Sequence, residues 1–465
     1  MQRCVPVSKN TLFRNSTALI ATTQRCADHA FRPSATRTYH GCQQLSSPAS
    51  PRRSRRIICS GAPSIAPRRY LKTEKVANTD VDVNGVPTFA FAFDIDGVLL
   101  RSSKPLPGAS EALLYLQKNN IPFILLTNGG GKLESERTLE LGEKLGVQLS
   151  VDNFVQSHTP FKSMVNNKTG QFEKDLKDKV VLVTGGDGDK CRRVAESYGF
   201  KHVVTPGDIL MACPQIWPFS KIFSQSYKDS CRPLPQPIDP SNPSNSLKIS
   251  AVFVFNDPRD WALDTQIIMD LLMSKEGVLG TVSEKNGNTS LPNLGYQQDG
   301  QPKIYFSNPD LLWAAAYHMP RLGQGGFQAA LAGVFNEVTR AHLERTVIGK
   351  PYAATYLYAE DVLSDYRKKL LGISAIGGKR LSRVFMVGDN PASDIKGAND
   401  FKSSKEIPWK SILVKTGVFQ EGTEPQYKPQ VIVDNVLEAV KWALKEEGWK
   451  GTVDTADERV GEHSV

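Results

Sequence analysis

The sequence predicts an α/β fold: one open parallel sheet interrupted by an inserted α/β domain. Three observations predict it. Apolar strand-like runs alternate with amphipathic helical segments across short connections. The runs at 89–94 and 121–126 are almost continuously apolar, as strands buried on both faces are. Two stretches of this style, 86–155 and 346–450, flank a block of different texture at 156–345.

The first stretch opens with the strand "FAFAFD", an acidic turn, and "PLPGASEALLYLQKNN". Pro107 and Gly108 there precede a helix with apolar Leu113, Leu114 and Leu116. The strand "IPFILL" follows, stopping at Thr127-Asn128 and three glycines, and then the helix "ESERTLELGEKLG". Strand, helix, strand, helix implies right-handed crossovers. In the middle block, "KVVLVTGG", "KHVVTP" and "ISAVFVFND" are strands, "DKCRRVAESYGF" and "WALDTQIIMDLLMSKEG" helices. Residues 214–248 are rich in Pro and Ser and are expected to form a surface insertion. From 346 the buried-strand style returns in "RTVIGKP", a helix over 352–371, "RVFMVGDN", "WKSILVKTG", "PQVIVDN" and the closing helix "VLEAVKWALKEEG". The tail from 451 to 465 is polar and expected to be mobile.

Charge is uneven along the chain. The net +9 hides a segment, 1–73, of net +12 and a remainder of net −3. A mildly acidic remainder argues against nucleic acid as the main ligand. The basic segment is Arg- and Ser-rich and carries a single acid, Asp28. That composition is expected of a mitochondrial transit peptide, and hence of a matrix protein, with a disordered basic arm as the alternative. No run reaches the roughly 18 apolar residues of a membrane span. Four of the seven cysteines fall in 1–73, and Cys191, Cys213 and Cys231 lack metal-cage spacing.

Four polar clusters fall at strand ends or loops: Asp94/Asp96, Thr127/Asn128, Lys350, and Asp389/Asp394. In open α/β sheets functional groups gather at the carboxyl ends of strands. Several carboxylates drawn to one place call for a hard cation, and oxygen ligands with a phosphate partner suit Mg²⁺. A lysine with a hydroxyl and an amide suits phosphoryl oxygens. An EF-hand is excluded, because Gly97 stands fourth from Asp94 and Pro105 occupies the twelfth position. "GGDGDKC" (185–191) imitates a dinucleotide fingerprint, but Cys191 stands where its third glycine belongs, so a plain strand-to-helix turn is expected. His158 is either a substrate contact or a structural loop residue. Arg259 is a clamp for an anion or a partner of Asp257 or Asp260. Trp261, Trp313 and Trp442 are expected on helices, in the core.

"DIDGVL", "LLTN", "GKP" and "GDNPASD" resemble the four ordered motifs of the haloacid dehalogenase (HAD) superfamily. The inserted block is similar to the C2-type cap of its class IIA members, and "NPD" (Asn308 to Asp310) to a cap feature of that class. "SHTPFK", "DPRDW" and "GDNPASDIKGAN" resemble, more closely, the cat eye syndrome critical region protein 5 family of mitochondrial HAD-like proteins. The resemblance implies a Rossmann-like HAD core with an inserted cap, and a Mg²⁺-dependent phosphatase acting on a small phosphorylated metabolite. It implies Asp94 as nucleophile and Asp96 as general acid and base. Thr127, Asn128, Gly129 and Lys350 would bind the phosphoryl group, and Asp389 and Asp394 would complete a metal site with Asp94 and the Asp96 carbonyl. His158, Arg259, Asn308 and Asp310 are the cap-side candidates, the last two shaping the contact of cap and core. Gly129 to Gly131 stand where such enzymes carry an amide or hydroxyl residue, and backbone amides would take its place. The alternative is a HAD-fold protein that binds a phospholigand or a mitochondrial partner without useful turnover. A homodimer through the cap is an admissible assembly.

Overall fold

The computed structural model describes residues 85–166, 176–313, 317, 319–372, 379–419, 422–451 and 453. The basic segment 1–73 and the tail beyond 453 lie outside the described residues. The chain begins with β1 (Phe89–Phe93), the hairpin of β2 (Leu100–Arg101) and β3 (Lys104–Pro105), α1 (Ala109–Lys118), β4 (Phe123–Leu126), α2 (Glu134–Leu145) and β5 (Phe154–Val155). The middle block adds β6 (Val180–Thr184), α3 (Lys190–Tyr198), β7 (His202–Val204), α4 (Pro206–Ala212), β8 (Ala251–Val254) and α5 (Trp261–Met273). It continues with β9 (Lys303–Phe306), the hairpin of β10 (Leu312–Trp313) and β11 (Arg321–Leu322), α6 (Gln324–Thr339) and β12 (Thr346–Val347). The chain then forms α7 (Ala353–Leu371), β13 (Arg383–Gly388), β14 (Trp409–Val414), β15 (Val431–Val433) and α8 (Val436–Glu446).

A six-stranded parallel sheet runs β15-β14-β13-β1-β4-β5, and a five-stranded parallel sheet runs β12-β9-β8-β6-β7. The fold is thus α/β with parallel sheets, as the alternation of elements predicts. β1 shows why the sequence builds a strand there. Phe89, Phe91 and Phe93 pack into the core against Leu113, Leu116, Val440 and Leu444, while Ala90 and Ala92 turn to the opposite core beneath Tyr356 and Leu363. Large and small residues at period two let one helix layer sit close and the other stand off. Each buried phenylalanine contributes about 1.5–3 kcal/mol.

Topology places the chemistry. From β1 the chain moves outward to β4 and β5 on one side, then returns to lay down β13, β14 and β15 on the other. The switch point therefore lies between β1 and β13, where a crevice opens at the carboxyl ends of the strands. Phe93 stands opposite Val387 in register, which brings Asp94 and Asp389 out at that crevice.

Three expectations need correction. Thr346–Val347 pairs with β9 in the smaller sheet, so Lys350 follows a strand of that sheet rather than of the larger one. Trp313 lies in a two-residue strand and is 50% exposed, because the short β10–β11 hairpin buries nothing around it. Trp261 and Trp442 do lie in helices and pack edge-on against Phe327 and Phe385. The Pro/Ser-rich segment is more than a surface insertion. Trp217, Tyr227 and Ile238 pack on the core of the second sheet, and Leu247 is fully buried.

Candidate active site

The site is built around Lys350. Its ammonium lies 2.6 Å from Asp94 Oδ1 and 2.8 Å from Asp394 Oδ1, and donates to the Leu126 carbonyl at 2.9 Å. Asn128 fixes the lysine backbone from both sides. Its Oδ1 accepts from the Lys350 N–H at 2.7 Å and its Nδ2 donates to the Lys350 carbonyl at 2.9 Å. The same Nδ2 also donates to both carboxylate oxygens of Asp310 at 3.1 Å. Asn128 thus ties the end of β4 to the connection after β12. Its side-chain amide is committed to Lys350 and Asp310, which corrects the expectation that it binds phosphoryl oxygens.

Asp389 is placed by glycines. Its Oδ2 accepts from the Val418 N–H at 2.7 Å. A Cβ at Gly97 would lie 2.4 Å from that oxygen, and one at Gly417 would lie 1.8 Å from it. Both positions must be glycine for the carboxylate to sit there. Asp394, in the turn of helix that follows β13, accepts from the Asn390 N–H at 3.1 Å. Asp94, Asp389 and Asp394 each offer one oxygen within 4.8 Å of the others, and all three are buried.

The electrostatics follow from this packing. Burial raises the Asp94 carboxyl above its ordinary range, opposed by the Lys350 charge. Burial and the charges of Asp94 and Asp394 push Asp389 up further, and burial lifts Asp394 to about 6 against the pull of Lys350. Burial alone would depress the Lys350 ammonium, but Asp394 and Asp94 more than reverse it. Three carboxylates facing one ammonium leave negative charge unbalanced in a dry place. An all-oxygen donor set of that charge fits a hard divalent cation such as Mg²⁺. Asp94, Asp389 and Asp394 are the side chains that would hold it.

Asp94, Lys350 and Asp389 of this cluster reach a cavity of about 370 Å³ lined from both sheets, while Asp394 is fully buried. Asp96, Thr127, Gly129, Asn308 and Asp310 line it with Asp94, Lys350 and Asp389. Asp96 is exposed to solvent, unlike Asp94. Thr127 Oγ1 accepts from the Gly129 N–H at 2.9 Å. Asn308 Oδ1 accepts from the Asp310 N–H at 2.8 Å, which shapes the loop facing Asn128, and burial lifts the Asp310 carboxyl to about 7.

His158 and Arg259 stand outside the lining. His158 is fully buried. Its Nε2 accepts from the Gly131 N–H at 2.9 Å, and its Nδ1 lies 2.8 Å from the Tyr198 hydroxyl, which itself donates to Glu134. It is a structural residue. Arg259 is exposed and pairs with Asp187 at 3.0 Å, while its Nη1 donates to the Asp257 carbonyl. Local spacing pointed to the carboxylates of Asp257 or Asp260, whereas the partner lies 72 residues away.

The glycine triplet has a packing reason. A Cβ at Gly130 would come within 2.6 Å of Ser157 Oγ, and one at Gly131 within 2.9 Å of Asn256 Cγ. Lining residues that sequence reasoning missed include Leu312 and Trp313, together with Arg101, Lys132 and Arg137. No motif marks the three cations. Trp313 stands three residues after the "NPD" signal, a hint that its neighbourhood faces the site.

A family model described as haloacid dehalogenase-like hydrolase matches residues 91–201, and one described as HAD-hydrolase-like matches 347–439. A mitochondrial hydrolase of Saccharomyces cerevisiae is 42% identical over 371 residues, covering 77% of this chain and 95% of that protein. The chain belongs to the haloacid dehalogenase-like hydrolases. A Schizosaccharomyces pombe protein, a fusion of cardiolipin synthase (CMP-forming) with a mitochondrial hydrolase, is 44% identical over 357 residues. That match covers 76% of this chain and 53% of the fusion, so this HAD-like chain spans about half of that relative's length. Among solved structures, a 4-nitrophenylphosphatase of Thermotoga maritima aligns with a TM-score of 0.44 at 17% identity, covering 77% of this chain and 96% of that one.

Proposed function

We propose that this HAD-like hydrolase is a Mg²⁺-dependent phosphatase that cleaves a small phosphorylated molecule through an aspartyl-phosphate. One observation carries the reading. Lys350 is ion-paired to Asp94 and Asp394 beside Asp389, buried at the floor of a cavity large enough for a phosphorylated headgroup. In this reading a carboxylate oxygen of Asp94 attacks phosphorus. A P–O bond to Asp94 forms as the P–O bond to the substrate alcohol breaks. Asp96, on the solvent side, gives its proton to the departing alkoxide. It then takes a proton from a water that attacks phosphorus, which frees Asp94 and releases inorganic phosphate. Lys350 keeps its proton throughout, holds Asp94 in place and balances phosphoryl charge. Thr127 donates its hydroxyl to a phosphoryl oxygen, the Gly129 N–H turns from Thr127 Oγ1 to the phosphoryl group when substrate binds, and Asn128 positions the lysine. Bound Mg²⁺, held by Asp94, Asp389 and Asp394 with the Asp96 carbonyl, would supply further charge neutralisation at the phosphoryl oxygens.

The alternative of a non-catalytic binding protein rests on the Gly129–Gly131 triplet and the Pro/Ser-rich segment; close packing gives Gly130 and Gly131 a different reason, and that segment packs Trp217, Tyr227 and Ile238 on the second core. We place the protein in mitochondria. The composition of 1–73 and the names of the two yeast relatives support this. The relative that joins such a hydrolase to a cardiolipin synthase favours a phospholipid setting. The test is turnover of 4-nitrophenyl phosphate with Mg²⁺. Asp94→Asn should lower it at least ~10³-fold, as loss of a covalent nucleophile does; undiminished turnover in that variant would end the proposal.

A further inference from the structure

The rim of the cavity carries an apolar surface that this chemistry does not use. The hairpin β10–β11 follows Asp310 directly, and Leu311, Leu312, Trp313, Met319 and Leu322 on it are each between 49% and 58% exposed. A single exposed apolar side chain is ordinary, but several on one short hairpin mark a surface meant to be covered. Leu312 and Trp313 also line the cavity, so two of the exposed apolar side chains are shared between the cavity wall and the outer surface. Cations accompany it. Arg321 is the register partner of Trp313. Arg101, which lines the cavity, pairs in register with Lys104 on the hairpin β2–β3, and all three cations are exposed.

We propose that this chain works at a membrane surface on a phosphomonoester lipid, whose phosphate enters the cavity while its acyl chains pass out over β10–β11. The proposal rests on the phosphatase reading above and narrows its substrate to an acylated alcohol. Apolar side chains flanked by Arg and Lys settle at the boundary of headgroups and acyl chains, and a tryptophan favours that boundary. The wall that Leu312 and Trp313 share with the cavity decides the occupant. A freely soluble substrate needs no apolar path out of the site, and a second protein seated on Leu312 and Trp313 would close that path.

The test compares, with the full chain and Mg²⁺, two substrates that share one phosphomonoester. One is dioleoyl phosphatidic acid in phosphatidylcholine–phosphatidylglycerol vesicles, and the other is glycerol 3-phosphate in solution. The lipid should be hydrolysed with a kcat/KM at least ~10-fold higher, and the protein should float with the vesicles. The double variant Met319→Ser/Leu322→Ser should lower both flotation and the lipid-to-soluble turnover ratio by about tenfold or more, as expected for losing two apolar side chains that the bilayer would bury. The basic segment 1–73 is common to both proteins, so its own attraction to anionic vesicles cancels. Equal kcat/KM for the two substrates, or an unchanged ratio and flotation in the variant, overturns the proposal. So does a double variant that splits a dimer in light scattering while floating as before, which assigns the hairpin to a second copy of the chain. If neither substrate nor 4-nitrophenyl phosphate is turned over, the phosphatase reading fails, and flotation of wild type against variant still decides the docking surface.

Discussion

Lys350 stands between two buried carboxylates, and its removal should be felt in stability as well as in rate. Breaking a buried ion pair by deleting one partner leaves uncompensated charge, which costs about 3–5 kcal/mol. Lys350→Met should therefore lose roughly that much in urea unfolding measured in EDTA, and should lose turnover as well. Gly417 offers a sharper probe of Asp389. A Cβ there would sit 1.8 Å from Asp389 Oδ2, so Gly417→Ala must displace the carboxylate. The Mg²⁺ concentration for half-maximal turnover should rise about 10–100-fold, the range seen when the support of a metal ligand is disturbed. Single residues were legible where a strand end carried an acid. Asp94, Asp96 and Asp389 could be picked out because nothing in strand physics asks for carboxylates there. Asn128 was picked out as a phosphate ligand, but its hold on the Lys350 backbone was not legible, since that depends on a residue 222 positions away. Trp313 was misread because an aromatic residue beside apolar neighbours looks the same in a core and on a rim.

At the scale of elements, the chain into the second sheet leaves β5 through His158, and His158 holds the glycine loop after β4. The Nδ1–H form fits both contacts, with Nε2 accepting from the Gly131 N–H and Nδ1 donating to Tyr198. Protonating Nε2 would end the first contact. Burial lowers the imidazolium pKa to about 4 from an ordinary 6.5. Between those values the unfolded chain binds the proton and the folded one does not, so stability falls as pH drops through this window. The gap between those two values amounts to about 3 kcal/mol. Denaturant unfolding across pH 6.5 to 4 should show this loss in the wild type and a shallower slope in His158→Gln; parallel slopes would contradict it. The helices and buried strands were readable from periodicity. Membership of β12 in the smaller sheet was not, because two residues, Thr346 and Val347, carry no pattern that names their neighbour.

At the scale of the molecule, the ordering of strands around β1 was implicit in the alternation of elements, since a parallel sheet with right-handed crossovers leaves few arrangements. The cavity between the sheets was not. Its lining joins loops that follow eight strands of the two parallel sheets, and no local pattern records that meeting. What the whole arrangement is for can be tested through Asp389, which the proposed reading assigns to the metal alone. Initial rates of 4-nitrophenyl phosphate hydrolysis should be followed during Mg²⁺ titration of EDTA-stripped protein, wild type beside Asp389→Asn. The wild type should be inactive without the ion and saturate with it, while the variant should need at least ~10-fold more Mg²⁺ or stay inactive. Equal rates in EDTA and Mg²⁺, or superimposable titrations of the two proteins, would mean that the buried carboxylates serve some other purpose.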